Sequence, residues 1–218
     1  MTSRTFSSGR LRLSAMSVLS ASVLALSACS SGEGPKNGSN DGATPSASAS
    51  ATATPSATPS PTAVYKPADA KGKAQNVPVP IKPALADKNS KEGVEAFTKY
   101  WFQLLNYGFE TGDVTSWAKL SGPSCSFCNI LKNSVAVGYK EGRWQVGGRL
   151  STPSVESKFK PGAPTQQVVV QVIQEKTQYY KADKSVGRSP AAGTNTASVV
   201  IAAYSGGKWV VSDMHLIQ

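Results

Sequence analysis

Between Ser30 and about Pro80 the chain carries almost no large apolar side chain, and that gap sets how much of it can fold. The stretch opens with Gly and Asn. It then runs through Ala, Ser, Thr and Pro, as in Thr44-Pro45-Ser46-Ala47-Ser48 and Thr58-Pro59-Ser60-Pro61-Thr62. Such a segment cannot bury enough surface to offset the entropy of ordering its backbone, about 1–2 kcal/mol per residue. Residues 29–80 are therefore expected to form a disordered tether with an r.m.s. span of roughly 40 Å, extended further by its prolines. A Ser/Thr/Pro stalk also offers hydroxyls for O-glycosylation. The packing must come from 81–218, one domain's worth of chain.

Ahead of the tether, residues 1–28 carry Arg4, Arg10 and Arg12, no acid, and an apolar run containing Leu19, Val23, Leu24 and Leu26. A basic start, a short apolar centre and a small-residue exit make a secretory signal peptide, and the run is too short for the roughly 20 residues that span a bilayer. It ends in Leu26-Ser27-Ala28-Cys29, which resembles a bacterial lipobox. That resemblance implies acylation of Cys29 and a lipid anchor on the extracytoplasmic face of the cell membrane, held stably because at least two acyl chains are attached.

Residues 81–218 hold 16 Lys/Arg against 10 Asp/Glu, a net +6. The bases are scattered rather than run together, so no nucleic-acid partner is expected. A basic surface near anionic lipid or wall polymer is the plain expectation.

Within this domain, Ser90 can cap a helix to about Glu110, with Val94, Phe97, Trp101, Leu104 and Leu105 on one stripe. Thr111-Gly112 stops it. Asp113 can cap a short second helix carrying Val114, Trp117 and Leu120. Pro123-Ser124 opens a third, from Cys125 to about Tyr139, with Ile130, Leu131, Val135 and Val137. After Gly142 the pattern becomes strand-like. Trp144 to Phe159 reads as one interrupted strand bent at Gly147-Gly148 and Pro153, and Gln166 to Gln178 as the clearest strand. Tyr180 to Ala192 reads as a polar loop and Thr194 to Tyr204 as the third strand. Gly206-Gly207 turns the chain into the last strand, Lys208 to Ile217. Three N-terminal helices packed on a curved four-stranded antiparallel sheet make an α+β domain. The order resembles the cystatin-like cone of nuclear transport factor 2-like domains.

The run Ala96-Phe97, Tyr100-Trp101, Leu105-Asn106-Tyr107, Thr111-Gly112-Asp113, Leu120-Ser121 and Cys125-Ser126-Phe127-Cys128 resembles an actinobacterial family of secreted lipoproteins of unassigned function. That resemblance implies an envelope lipoprotein with a small α+β domain and brings no catalytic residue with it.

Three readings compete for the Cys125/Cys128 pair. An oxidising compartment, with Cys29 used by lipid, favours a structural disulfide, worth about 2 kcal/mol for so small a loop. A redox-active pair at a helix N-terminus is the second. Zinc is the third, but it needs two more ligands and His215 is the only histidine. Asp213 and His215 alternate on the last strand and so share a face roughly 7 Å apart, a general acid–base candidate only if both point into the cone. Tyr100, Trp101, Tyr107, Phe109 and Trp117 are first of all packing residues. Tyr100 and Tyr107 are the better pocket candidates, because a buried hydroxyl needs a partner. Strict alternation puts Trp209, Val211 and Ile217 on one face of the last strand and Val210, Met214 and Leu216 on the other, which predicts a covered outer sheet face and a possible homodimer.

The functional expectation is a non-catalytic binding or support module for an envelope protein or wall component, with no catalytic residue, metal or cofactor. The alternatives are a cone binding a small apolar ligand or lipid, and an enzyme using Asp213/His215 or the cysteine pair. A cone with a few hundred Å³ of apolar space would favour the ligand, and a filled one the protein-facing module.

Overall fold

The computed structural model describes residues 63–217. The leader, Cys29 and the tether up to residue 62 lie outside the described residues. Residues 63–80, expected to belong to the tether, instead form an extended strap with backbone bridges from Lys66 to Gln75 and from Asp69 to Gly72. The indole N–H of Trp144 donates to the Asp69 carbonyl at 2.8 Å, and the Tyr65 hydroxyl donates to the Glu110 carboxylate. That carboxylate pushes the Tyr65 phenol up to about 12. The strap is held by hydrogen bonds and buries almost no apolar side chain of its own, so hydrophobic patterning does not reveal it.

A 3₁₀ turn at Ala84–Asp87 leads into α1 (Lys91–Thr111), α2 (Thr115–Ala118) and α3 (Ser126–Tyr139). Eight strands follow: β1 (Trp144–Gly147), β2 (Leu150–Ser151), β3 (Val155–Ser157), β4 (Thr165–Gln174), β5 (Thr177–Tyr180), β6 (Val186–Ala191), β7 (Thr194–Ser205) and β8 (Lys208–Ile217). The helices start and stop where local chemistry requires. Ser90 Oγ accepts from Gly93 N at 3.0 Å, Asp113 Oδ1 from Thr115 N at 2.8 Å and Cys125 Sγ from Cys128 N at 3.2 Å. Gly112 ends α1 at φ +82°, and a Cβ there would also strike the Tyr139 ring at 2.6 Å.

The domain is α+β with antiparallel pairing throughout its named strands, but a single four-stranded sheet is not what forms. One sheet runs β2-β4-β7-β8, with β3 also paired to β4, and a second runs β1-β5-β6. The expected first strand breaks into β1, β2 and β3, because Gly147 and Gly148 sit at φ +70° and +75° and turn the chain from one sheet to the other. The expected polar loop after Tyr180 contains the outer strand of a hairpin, β5 with β6. β6 is exposed along its whole length and contains Pro190, so neither burial nor propensity marks it as a strand.

The stripe on α1 packs against the main sheet. Phe97, Trp101, Leu104 and Leu105 are buried with Val168, Val170 and Val200. Trp101 lies edge-on to Phe102 and against Trp117, with ring centroids 5.0 Å apart in each pair. Polar residues of α1 hold the short strands. The Asn106 amide accepts from Leu150 N at 2.7 Å and donates to Leu150 O at 2.8 Å, while Glu95 accepts from Ser157 N at 2.8 Å. Trp209 closes the other end: its N–H donates to Lys88 O at 2.9 Å and its ring contacts Phe97 and Tyr204.

β8 contains a bulge. Ala202 pairs with Val211 but the preceding Ile201 pairs with Asp213, leaving Ser212 as the extra residue. The Ser212 hydroxyl donates to Ile201 O at 3.1 Å. On the free edge of β8, Val211 N donates to Leu120 O and accepts in turn, through its carbonyl, from Gly122 N. Trp209, Val211 and Met214 are therefore all buried on the inner face, while Val210, Asp213 and His215 face outward. The expected faces of β8 are redistributed: Met214 and Leu216 join Trp209 and Val211 on the inner face, and Val210 and Ile217 are its apolar residues on the outer one. β4 and β7 add Val169, Val199 and Ile201 to the outer face, half-buried like Val210.

Replacing Trp209 with alanine is expected to cost about 3–5 kcal/mol, since it empties the largest volume where α1, β7 and β8 meet. The check is a urea unfolding curve whose midpoint falls without a change in slope.

Candidate functional site

The four residues expected to line a pocket are not brought together. Asp213 and His215 lie on the outer face of the sheet, with His215 Nε2 3.2 Å from Asp213 Oδ2 and side chains 39% and 62% exposed. They do not point into the interior, as the acid–base reading requires. The bulge at Ser212 turned them out. Tyr100 is half-buried on α1 among the packing residues. Tyr107 faces the strap across a shallow hollow of about 360 Å³ that also touches Tyr65, Glu110 and Arg149.

Cys125 and Cys128 form a disulfide with Cα atoms 5.2 Å apart. Both cysteines are buried in the core, so the bridge fixes the first turn of α3 against it. Among the described residues no group of three or more His, Cys, Asp and Glu side chains could hold a metal ion.

A concavity among the described residues lies where sequence patterning pointed to a helix and a loop. α3 turns Cys128 and Val135 to the core, leaving Ile130 and Val137 60% and 61% exposed on its opposite side. The β5–β6 hairpin runs alongside and closes a groove of about 510 Å³. Tyr179 and Tyr180 supply its aromatic wall, and Arg143, Lys181 and Arg188 its charge. No acidic side chain lines it.

Its geometry is fixed by stacking. The Arg188 guanidinium lies 3.5 Å from the centroid of the Tyr179 ring, a cation–π contact that holds the charge over the groove. Tyr180 stacks on Trp144 at 5.5 Å and 19°, and Trp144 is tied in turn to the strap. Arg143 is partly neutralised by Glu141 at 2.8 Å, whereas Lys181 and Arg188 have no acidic partner at ion-pair distance among the described residues. Beneath the helix end, the Tyr139 hydroxyl donates to Phe109 O at 2.6 Å, and burial holds this phenol well above the ordinary tyrosine range. The sequence signals were present: two apolar residues seven apart on α3, and Tyr179-Tyr180-Lys181 followed by Arg188. Sequence patterning places the first pair on a helix and most of the second group in a polar loop, and nothing in it joins the two.

The interior is mostly filled. Trp101, Trp117, Trp209 and Phe97 are fully buried, and a smaller cleft of about 220 Å³ remains between α1, α3 and the inner sheet face.

Among solved structures, the chain is similar to the intermembrane space region of the chloroplast protein ARC6, at 7% identity and a TM-score of 0.42 over 59% of this chain and 96% of that one. It is also similar to an uncharacterized protein with a cystatin-like fold from Caulobacter vibrioides, at 17% identity and a TM-score of 0.39 over 58% of this chain and 91% of that one. No curated protein matches the chain. The model of a family of unknown function, DUF6318, matches residues 63–215, which take in the strap, the three helices and both sheets up to His215. The chain belongs to the DUF6318 family.

Proposed function

We propose that this protein is a lipid-anchored lipoprotein of the actinobacterial cell envelope whose extracytoplasmic domain is a non-catalytic binding module. Its binding surface is the groove between α3 and the β5–β6 hairpin, and its partner is an acidic segment of another envelope protein. The packing of α1 across β2, β3, β4, β7 and β8 supports the finer description of the main sheet as a cystatin-like cone.

The observation that carries this reading is the composition of the groove. Its volume of about 510 Å³ falls within the roughly 300–1,000 Å³ of typical binding sites. Arg188 and Lys181 present uncompensated positive charge, and the guanidinium fork suits carboxylates. Ile130 and Val137 add exposed apolar surface beside those charges. A polymer recognised by charge alone would make no use of that surface. An acidic peptide segment with apolar residues uses both.

Anchoring follows from Leu26-Ser27-Ala28-Cys29. Cys29→Ser removes the acylated thiol and is expected to move the protein from the membrane fraction to the soluble extracytoplasmic fraction. Unchanged membrane retention would remove the anchor from the account.

For the groove, a photo-crosslinking side chain at Val137 in intact cells is expected to capture an acidic envelope protein. The Lys181→Glu/Arg188→Glu double variant should lower the yield about tenfold, with stability lowered by no more than about 1 kcal/mol, the worth of an exposed cation–π contact. Equal yield from the variant would contradict the proposal. Retention of the isolated domain on wall polymer, lost in the double variant and with no protein adduct in cells, would replace the peptide by a polymer.

A further inference from the structure

The inner face of β7 changes chemistry along its length. Ala202 and Val200 are apolar and buried, but the next inward residues are Ser198, Thr196 and Thr194. These three line the interior cleft of about 220 Å³. Opposite them stand Phe102, Leu105 and Phe109 of α1, with Leu131 of α3 and Met214 of β8. A wall of hydroxyls faces a wall of hydrocarbon. Leu216, 53% exposed, forms an apolar lip.

Ser198 is the informative member. It is fully buried, and its hydroxyl has no hydrogen-bond partner among the described residues. Its cross-strand neighbours are Val170 on β4 and Leu216 on β8, neither of which carries a side-chain polar atom. Buried hydroxyls in folded proteins are almost always paired, so an unpaired one on a cavity wall points to a group that completes it. No charged side chain lines the cleft, and a charge placed there would lose its hydration without compensation. An apolar cavity of about 150 Å³ already takes a benzene-sized guest.

We propose that this cleft is a second binding site, for a small uncharged amphiphile: a short hydrocarbon body against Phe102, Leu105 and Met214, with one alcohol, ketone or amide group hydrogen-bonded to Ser198. The site does not depend on the groove. The bulge in β8 contributes to it directly, because Met214 and Leu216 reach the cleft only through the face change at Ser212.

The test is an NMR titration of the full chain carrying Cys29→Ser with 1-octanol, and with octanoate at pH 7. The expected result is saturable 1-octanol binding with shifts confined to the cleft, and octanoate binding at least about tenfold weaker. Ser198→Ala should weaken 1-octanol by about three- to tenfold while leaving the fold intact. Lys181→Glu/Arg188→Glu should leave it unchanged, which separates failure of this site from failure of the groove. Absence of saturable shifts, octanoate binding as tightly as the alcohol, or unchanged affinity in Ser198→Ala would each overturn the proposal. Should Ser198→Ala fail to fold, the comparison of alcohol with carboxylate on the parent chain decides.

Discussion

One extra residue in β8 governs which side chains this domain turns inward. Because Ser212 is left out of the ladder, the alternation set by Trp209 and Val211 reverses, and Met214 joins them on the inner face. The bulge is held from both sides. The Ser212 hydroxyl bonds Ile201 O across the sheet, and the Leu120–Gly122 segment pairs with Val211 on the free edge. That second contact also covers an otherwise open strand edge with the α2–α3 connection, a common protection against edge-to-edge pairing. The disulfide fixes α3 immediately after this connection, so edge cover, helix start and bulge form one unit.

Around this unit the domain divides its labour. The main sheet and α1 bury the large side chains and leave one modest cleft where β7 switches from valine and alanine to hydroxyls. The small sheet buries little and instead carries stacked aromatics and cations beside α3. The strap ties the two regions from outside through Asp69 to Trp144 and Tyr65 to Glu110.

Much of the helical half was legible in the sequence. Ser90 and Gly112 act where their chemistry predicts, Asp113 accepts from Thr115 N one residue ahead of the N-cap Val114, and Val94, Phe97, Trp101, Leu104 and Leu105 are buried as a stripe. The sheet half was less so. β6 has neither alternation nor burial to announce it, and the strap is polar, so composition places the domain boundary too late. The candidate site failed for a more specific reason. Pairing of Asp213 and His215 on one face was correct, but which face depends on Ser212, and a serine in a strand carries no mark of being a bulge. Ile130 and Val137 count only as apolar residues of the third helix, because helical spacing records a shared face and not what lies against it.

The account rests on the register of β7 against β8, and cross-strand NMR contacts measure that register directly. The bulge predicts backbone contacts between Ala202 and Val211 and between Val200 and Met214, with Ser212 facing no partner. An unbroken ladder, with Ile201 opposite Ser212 and Val200 opposite Asp213, would turn Asp213 into the interior and contradict the assignment of both the inner cleft and the outer face.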